Sequence, residues 1–222
     1  MTELLLKMLA SYLLGSLIGS LIVGRVRGGV DIRTLGSGNA GGTNALRTQG
    51  KSFALWVMLI DIGKGIVATR VIAPFSLHGA GVLAGGATGS LWNEWLPVAC
   101  GFAAIVGHVY PLWHGFRGGK GVATLIGVLL GLDTLLLLTV IVVWLLMTML
   151  FGFVGLASMV AAASIPVFVA ASGMQPQEPL LLFGLAITVL VVFTHRANIA
   201  RMRAGREPRA RRLWLFGRNR SS

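Results

Sequence analysis

The sequence predicts an all-α integral membrane protein, a bundle of seven transmembrane helices with its N-terminus outside and its C-terminus in the cytoplasm. Three observations predict it. The 222-residue chain is 55% hydrophobic and only 12% charged, with a mean hydropathy of +0.80, where a soluble domain carries about 25% charged residues. Several apolar stretches reach the roughly 20 residues that a helix needs to cross a bilayer. These runs are continuous, whereas the strands of a membrane barrel alternate apolar and polar residues. Soluble folds and barrels are therefore excluded. The net charge of +12 would point a soluble protein toward nucleic acid. In a membrane protein it reads first as the basic excess of the cytoplasmic side, and no nucleic-acid partner is expected.

The first span covers residues 4–23. Its apolar run continues without a small-x-small cleavage site, which marks a retained helix rather than a removed signal peptide. The second covers residues 52–73, followed by a Gly-rich stretch, 78–90, with the character of a re-entrant or interfacial helix. The third covers 95–110, the short fourth 122–132, the fifth 135–151, the sixth 154–171 and the seventh 180–194. Charge sets the orientation. The loop after the first span holds Arg25, Arg27, Arg33, Arg47 and Lys51 against Asp31 alone; Arg117 and Lys120 follow later, and the segment from His195 onward carries nine arginines against Glu207. The opposite connections hold Glu94, Asp133 and Glu178 and no Lys or Arg. Basic loops stay in the cytoplasm, so the N-terminus is outside and the number of spans is odd.

Residues 1–207 read as a single domain of packed helices, in which Gly15, Gly19, Gly63 and Gly127 let backbones approach closely. Residues 208–222 form a basic cytoplasmic tail, suited either to resting on anionic headgroups or to fixing orientation alone. Cys100 has no second cysteine to pair with and reads as a small buried apolar residue.

Three polar segments fall on the cytoplasmic side. GSGNAGGTNALR (36–47) sets four glycines among five polar side chains. Glycines let successive backbone N–H groups turn toward one anion, and Ser37, Gly38, Asn39, Thr43, Asn44 and Arg47 can complete a phosphate cradle. In GHVYPLWHGFRGGKGVAT (107–124), Gly118, Gly119, Lys120 and Gly121 lead straight into an apolar helix whose free N–H groups suit an anion. The spacing is not that of a nucleotide P-loop, so ATP is not expected. In HRANIAR (195–201), His195 and Asn198 lie three apart, on one face of a continuing helix, placed for acid–base or hydrogen-bonding work. Inside the second span, Asp61 and Lys64 stand at i,i+3 spacing. Ionisable groups at that depth must pair or face a polar interior: either they form a helix-locking salt bridge, or Lys64 adds charge to the floor of an anion site. No nucleophile elbow and no metal-ligand motif is present, and three of the four histidines lie too far apart in sequence to suggest a metal. Neither a metal nor a cofactor is expected.

Together, GSGNAGGTNALRTQGK (36–51), DIGKG (61–65), GHVYPLWHGFRGGKGVAT (107–124) and HRANIARMRAGRE (195–207) resemble, in order and spacing, the bacterial membrane acyl-phosphate:glycerol-3-phosphate acyltransferases. The resemblance runs to about residue 207. It implies a seven-helix bundle in the bacterial cytoplasmic (inner) membrane with its active site at the cytoplasmic face. It implies transfer of a fatty acyl group from acyl phosphate to the 1-hydroxyl of glycerol 3-phosphate, giving lysophosphatidic acid and inorganic phosphate. The implied partners are these two substrates, membrane lipids and an acyl-phosphate-synthesising enzyme. Carried over by position, Ser37, Thr43, Asn44 and Arg47 bind phosphate, as does Lys120 with its flanking glycines; His195 and Asn198 complete the site, and Ser158 matches a polar position of the sixth span. Gly42 stands where the family often has Ala, and Ala197 where it often has Glu.

On this reading catalysis is positioning plus stabilisation of charge on the carbonyl oxygen and the departing phosphate. Arg47 and Lys120 supply the charge; Ser37, Thr43, Asn44 and Asn198 orient the anions. The proton acceptor is left open between His195 and a substrate phosphate. The rivals are a transporter of a phosphorylated solute, which the one-sided polar chemistry disfavours, and an acyl- or phosphotransferase with another donor, such as acyl-CoA or a polyprenyl phosphate.

Overall fold

A computed structural model describes residues 2–75, 91–211 and 213–216, all of it helix, turn or loop. The Gly-rich stretch 78–90, expected as a re-entrant or interfacial helix, lies outside the described residues. The chain divides into two compact units, residues 1–133 and 134–222, a subdivision that the apolar pattern does not announce.

The first unit contains α1 (Thr2–Gly15), α2 (Gly19–Val26), α3 (Gly42–Gln49), α4 (Lys51–Val67), α5 (Leu91–Val109) and α6 (Val122–Leu132). The expected first span is broken: α1 and α2 meet at a 44° bend. A break inside a membrane helix strands backbone groups that lipid cannot satisfy, and here α4 satisfies them. Lys64 Nζ donates to the carbonyls of Gly15 and Leu17, both at 2.9 Å, at the negative end of α1. Asp61 Oδ1 accepts from the Gly19 amide at 3.1 Å, where α2 begins. The two side chains pair with each other at 2.9 Å, and both are buried. Beyond α4 the helix widens into a π turn, Ala68–Ile72, and Lys7 caps its end by donating to the Ala73 carbonyl at 2.8 Å.

Small residues set the packing. α1 lies on α5 with Gly15 against the Ala104 backbone and Gly107 against that of Tyr12; α4 lies on α6 with Gly65 against Thr124 and Gly127 against Ile62. Of the four glycines expected at such contacts, Gly15, Gly19 and Gly127 make them. Gly63 does not: a side chain there would meet open space, and Gly65, on another face of the same helix, takes the role. Below α3, Val23, Ile32, Ala45, Phe53, Ala54 and Val57 form an apolar cluster that seats the glycine-rich loop.

The second unit contains α7 (Thr134–Phe151), α8 (Val154–Ser172), α9 (Gln177–Thr194) and α10 (Arg196–Arg203). α8 packs on both α7 and α9, tied to α9 where Thr188 Oγ1 donates to the Ala162 carbonyl at 3.1 Å. The tail returns onto the α7–α8 turn: the Ala210 amide donates to the Gly152 carbonyl at 2.8 Å, and the Arg209 guanidinium lies over Phe153 at 4.8 Å and Trp214 at 4.0 Å. Part of the basic tail is thus docked, while Leu213, Leu215 and Phe216 stay exposed.

Among the described residues, the helices long and apolar enough to cross a membrane are α7, α8, α9 and the stretch Glu94–His114, with the bent α1–α2 pair as a fifth candidate.

Candidate active site

In the glycine-rich segment, Asn44 is buried and its amide is spent on the loop. Its Oδ1 accepts from the Ser37 amide at 3.0 Å, while Nδ2 donates toward the carbonyls of Ile32, Leu35 and Asn39 at 2.9–3.0 Å. Gly36 is held at φ +56°, where a side chain would run into Asn44. Asn39 closes a smaller turn by accepting from the Gly41 amide at 2.8 Å. Asn44 is therefore the organiser of the loop. The groups this leaves outward are Ser37, Thr43 and Arg47, all exposed, with Gly38 beside them. That is the distribution an anion site needs: backbone held behind, an exposed cation and hydroxyls in front.

The second segment is locked to the first by Arg33. Its guanidinium pairs with Asp31 at 2.7 Å and donates to the carbonyls of Arg117 at 3.0 Å and His114 at 3.3 Å. The hydrogen bond from Arg33 holds the Asp31 carboxyl below its ordinary range, and the same bond raises Arg33. Phe116 sits at φ +59° in the turn that Arg33 braces. Downstream, the Gly118 and Gly119 amides donate to the carbonyls of Val109 and His108 at 3.2 and 3.1 Å. A side chain at Gly118 would strike the His108 carbonyl, and one at Gly119 the His108 ring. These glycines are set by close packing on the end of α5. Gly121, at φ +82°, turns the chain into α6. Lys120, half-buried, stands between them.

Beneath this loop lies the Asp61–Lys64 pair. The His108 Nδ1 is 2.8 Å from Lys64 Nζ and 3.4 Å from Asp61 Oδ1. Lys64, expected among the substrate ligands, is directed at Gly15, Leu17, Asp61 and His108, so the helix-locking alternative is the one that the geometry favours.

In the second unit, His195 ends α9. Its buried ring places Nδ1 2.8 Å from the Val191 carbonyl. A carbonyl only accepts, so Nδ1 carries the proton and Nε2 is the basic nitrogen of the neutral ring. Asn198, one turn on, donates from Nδ2 to Glu207 Oε1 at 2.6 Å, and Glu207 Oε2 accepts from Arg201 at 2.6 Å. Its side chain lies on Gly155, where a Cβ would crowd it at 3.0 Å. Ser158 lies within α8, donating to the Val154 carbonyl at 2.9 Å and accepting from Trp144 Nε1 at 3.3 Å.

The structure ties the first two segments through Arg33 and sets Asn198 on Gly155, and it adds supporting residues that the sequence reading did not single out: Arg33 with Asp31, His108, and Glu207. Glu207 is the lone acid of an arginine-rich tail, which was a usable signal. His108 belongs to a glycine-flanked motif but offers no partner in sequence. Two glycine-braced loops beside exposed Arg47 and half-buried Lys120 are suited to binding phosphate groups, and residues 5–205 match the sequence profile described as Glycerol-3-phosphate acyltransferase. The chain belongs to that family. It is an acyltransferase of glycerol 3-phosphate. The chain is 45% identical over 96% of its length to a glycerol-3-phosphate acyltransferase of Synechococcus sp. (strain JA-2-3B'a(2-13)), covering 98% of that protein. It is 38% identical over 94% of its length to the one of Chlorobium chlorochromatii (strain CaD3), covering 97% of it. Among solved structures, it is similar to PlsY (YgiH), an integral membrane glycerol 3-phosphate acyltransferase, in its glycerol 3-phosphate form, with a TM-score of 0.75 and 31% identity, covering 93% of this chain and 94% of that one. The crystal structure of the lysophosphatidic acid form of that enzyme matches with a TM-score of 0.74.

Proposed function

We propose that this acyltransferase takes its acyl group from acyl phosphate and delivers it to the 1-hydroxyl of sn-glycerol 3-phosphate at the cytoplasmic face of a bacterial inner membrane. The hydroxyl oxygen attacks the acyl carbonyl carbon, the bond to the phosphate oxygen breaks, and phosphate leaves with the electron pair, giving lysophosphatidic acid. The observation that carries this reading is the first loop, where the amide of Asn44 is committed to the backbone while Ser37, Thr43 and Arg47 stay exposed. Arg47 and Lys120 supply the charge for phosphate. Ser37, Gly38, Asn39 and Thr43, with Gly118, Gly119 and Gly121, shape the loops around it. His195 and Asn198 serve the same reaction, and the hydroxyl proton goes to His195 Nε2 or to a substrate phosphate. Lys64 serves by capping the α1–α2 break, and Ser158 by its hydrogen bonds to Trp144 and the Val154 carbonyl.

The seven spans are then the α1–α2 pair, α4 with its π turn, and α5 to α9, with the N-terminus outside. Residues 1–207 serve as one enzymatic domain and 208–222 as its basic tail. The acyl chain enters from the surrounding lipid, and an acyl-phosphate-synthesising enzyme supplies the donor.

Purified protein given radiolabelled glycerol 3-phosphate with palmitoyl phosphate, and in parallel with palmitoyl-CoA, is expected to form labelled lysophosphatidic acid from the phosphate donor alone. Product from the CoA only would overturn the donor and keep the acyltransferase. Rate against pH for His195→Ala separates the two proton acceptors: a residual rate near wild type assigns the proton to the substrate phosphate.

A further inference from the structure

We propose that His108 is a positioning residue for Lys120, coupling the helix break between α1 and α2 to the Gly-Gly-Lys-Gly loop. The buried ring is held from below at Nδ1 by Lys64 at 2.8 Å, beside Asp61 at 3.4 Å. Nδ1 shares that ammonium with the Gly15 and Leu17 carbonyls and Asp61, and Nε2 lies on the far edge of the ring. That edge of the ring is the surface on which Gly119 lies, close enough that a Cβ at Gly119 would overlap Nε2 and stand 3.0 Å from Cε1. The backbone adds its own hold, with the Gly119 amide on the His108 carbonyl at 3.1 Å and the Gly118 amide on Val109 at 3.2 Å. The residue after Gly119 is Lys120, so the height and tilt of the ring set where its Cα stands. The ring in turn is placed by Lys64, which also holds the Gly15 and Leu17 carbonyls. One chain of contacts therefore runs from the interrupted first helix, through Lys64 and His108, to the cation of the second loop. His108 touches no phosphate in this scheme; it acts through Gly119.

The inference rests on the reading of Lys120 as a phosphate ligand only where activity is the readout, so its test carries a second, chemical readout. Lys51 is exposed while Lys7 and Lys64 are buried, so acylation of the folded protein by a soluble N-hydroxysuccinimide ester, followed by mass spectrometry, reports Lys120 against Lys51 as internal reference. His108→Ala is expected to change the Lys120:Lys51 modification ratio and to lower kcat/KM by about 100-fold, the scale of an ångström-sized misplacement. Gly119→Ala, which pushes the loop off an intact ring, is expected to do the same. The double variant His108→Ala/Gly119→Ala is expected to regain activity over Gly119→Ala, because the ring no longer opposes the new methyl group. Gly119→Ala also serves as the independent test if His108→Ala does not fold. A modification ratio unchanged in the folded variants overturns the positioning role, whatever happens to activity. A changed ratio with unchanged kcat/KM upholds positioning and removes Lys120 from the phosphate site.

Discussion

Arg47 and Asn44 sit three residues apart in one short helix and have opposite fates, because one faces outward and the other faces its own loop. Arg47 is exposed. Arg47→Ala is expected to lower kcat/KM by about 100- to 1,000-fold, the cost of removing one preorganised donor to developing charge. Arg47→Lys should recover only part of it, since the planar guanidinium fork is lost. Steady-state kinetics checks both. The Asp31–Arg33 pair carries a pH dependence. Bonding to Arg33 lowers the folded-state pKa of Asp31 below its ordinary 3.8, so its stabilising contribution is complete above that value and is lost as pH falls through the lower folded value. The melting difference between wild type and Asp31→Asn should therefore be present at neutral pH and shrink in acid below 3.8. It should be small, because the pair is partly exposed and screened. Sequence reading found the exposed cation readily, since a basic side chain among glycines advertises itself. It assigned Asn44 to substrate because an amide's choice between ligand and backbone depends on where the loop folds.

For the helices, the deciding quantity is how closely backbones approach. Gly127 faces the Ile62 backbone across the α4–α6 contact with no room for a Cβ. Gly127→Ala is expected to cost about 1–3 kcal/mol by overpacking, read as lowered thermal stability in detergent. Gly63→Ala, pointing into open space, should be neutral in the same assay. The α1–α2 break makes a second prediction. Lys64→Met leaves Asp61 buried beside an uncapped helix end and should cost about 3–5 kcal/mol. Asp61→Asn combined with Lys64→Met should recover part of this by removing the unpaired charge. The Gly15 and Leu17 carbonyls would remain without their donor, so recovery should be incomplete. The i,i+3 spacing showed that Asp61 and Lys64 can pair. Their second task, capping an interrupted helix more than 40 residues earlier in the chain, left no local trace.

Across the whole molecule, the one-sided charge makes a topological prediction. In a Cys100→Ala background, cysteines placed at Ser37 and Ser172 should react with a membrane-impermeant thiol reagent from opposite sides of the membrane. In intact cells the cysteine at position 172 should label and that at 37 should require permeabilisation. Labelling of both from outside would contradict the orientation in which the basic loops are cytoplasmic. The tail belongs to this scale as well. Its arginines read in sequence as a surface charge run, whereas Arg209 packs between two aromatic rings and Glu207 braces Asn198 and Arg201.

Composition and pattern alone determined that this chain is a helical membrane protein with its basic residues gathered in a few connecting segments, because hydrophobic run length and charge asymmetry are read locally along the chain. Tertiary structure decided which polar residues are spent inside the protein. Asn44 and Glu207 satisfy groups of their own neighbourhood once the chain turns back, while Lys64 reaches a helix break and His108 from distant segments. Such pairing is set by the cost of leaving polar groups unsatisfied in a low-dielectric interior, a cost that exists only once the helices have packed.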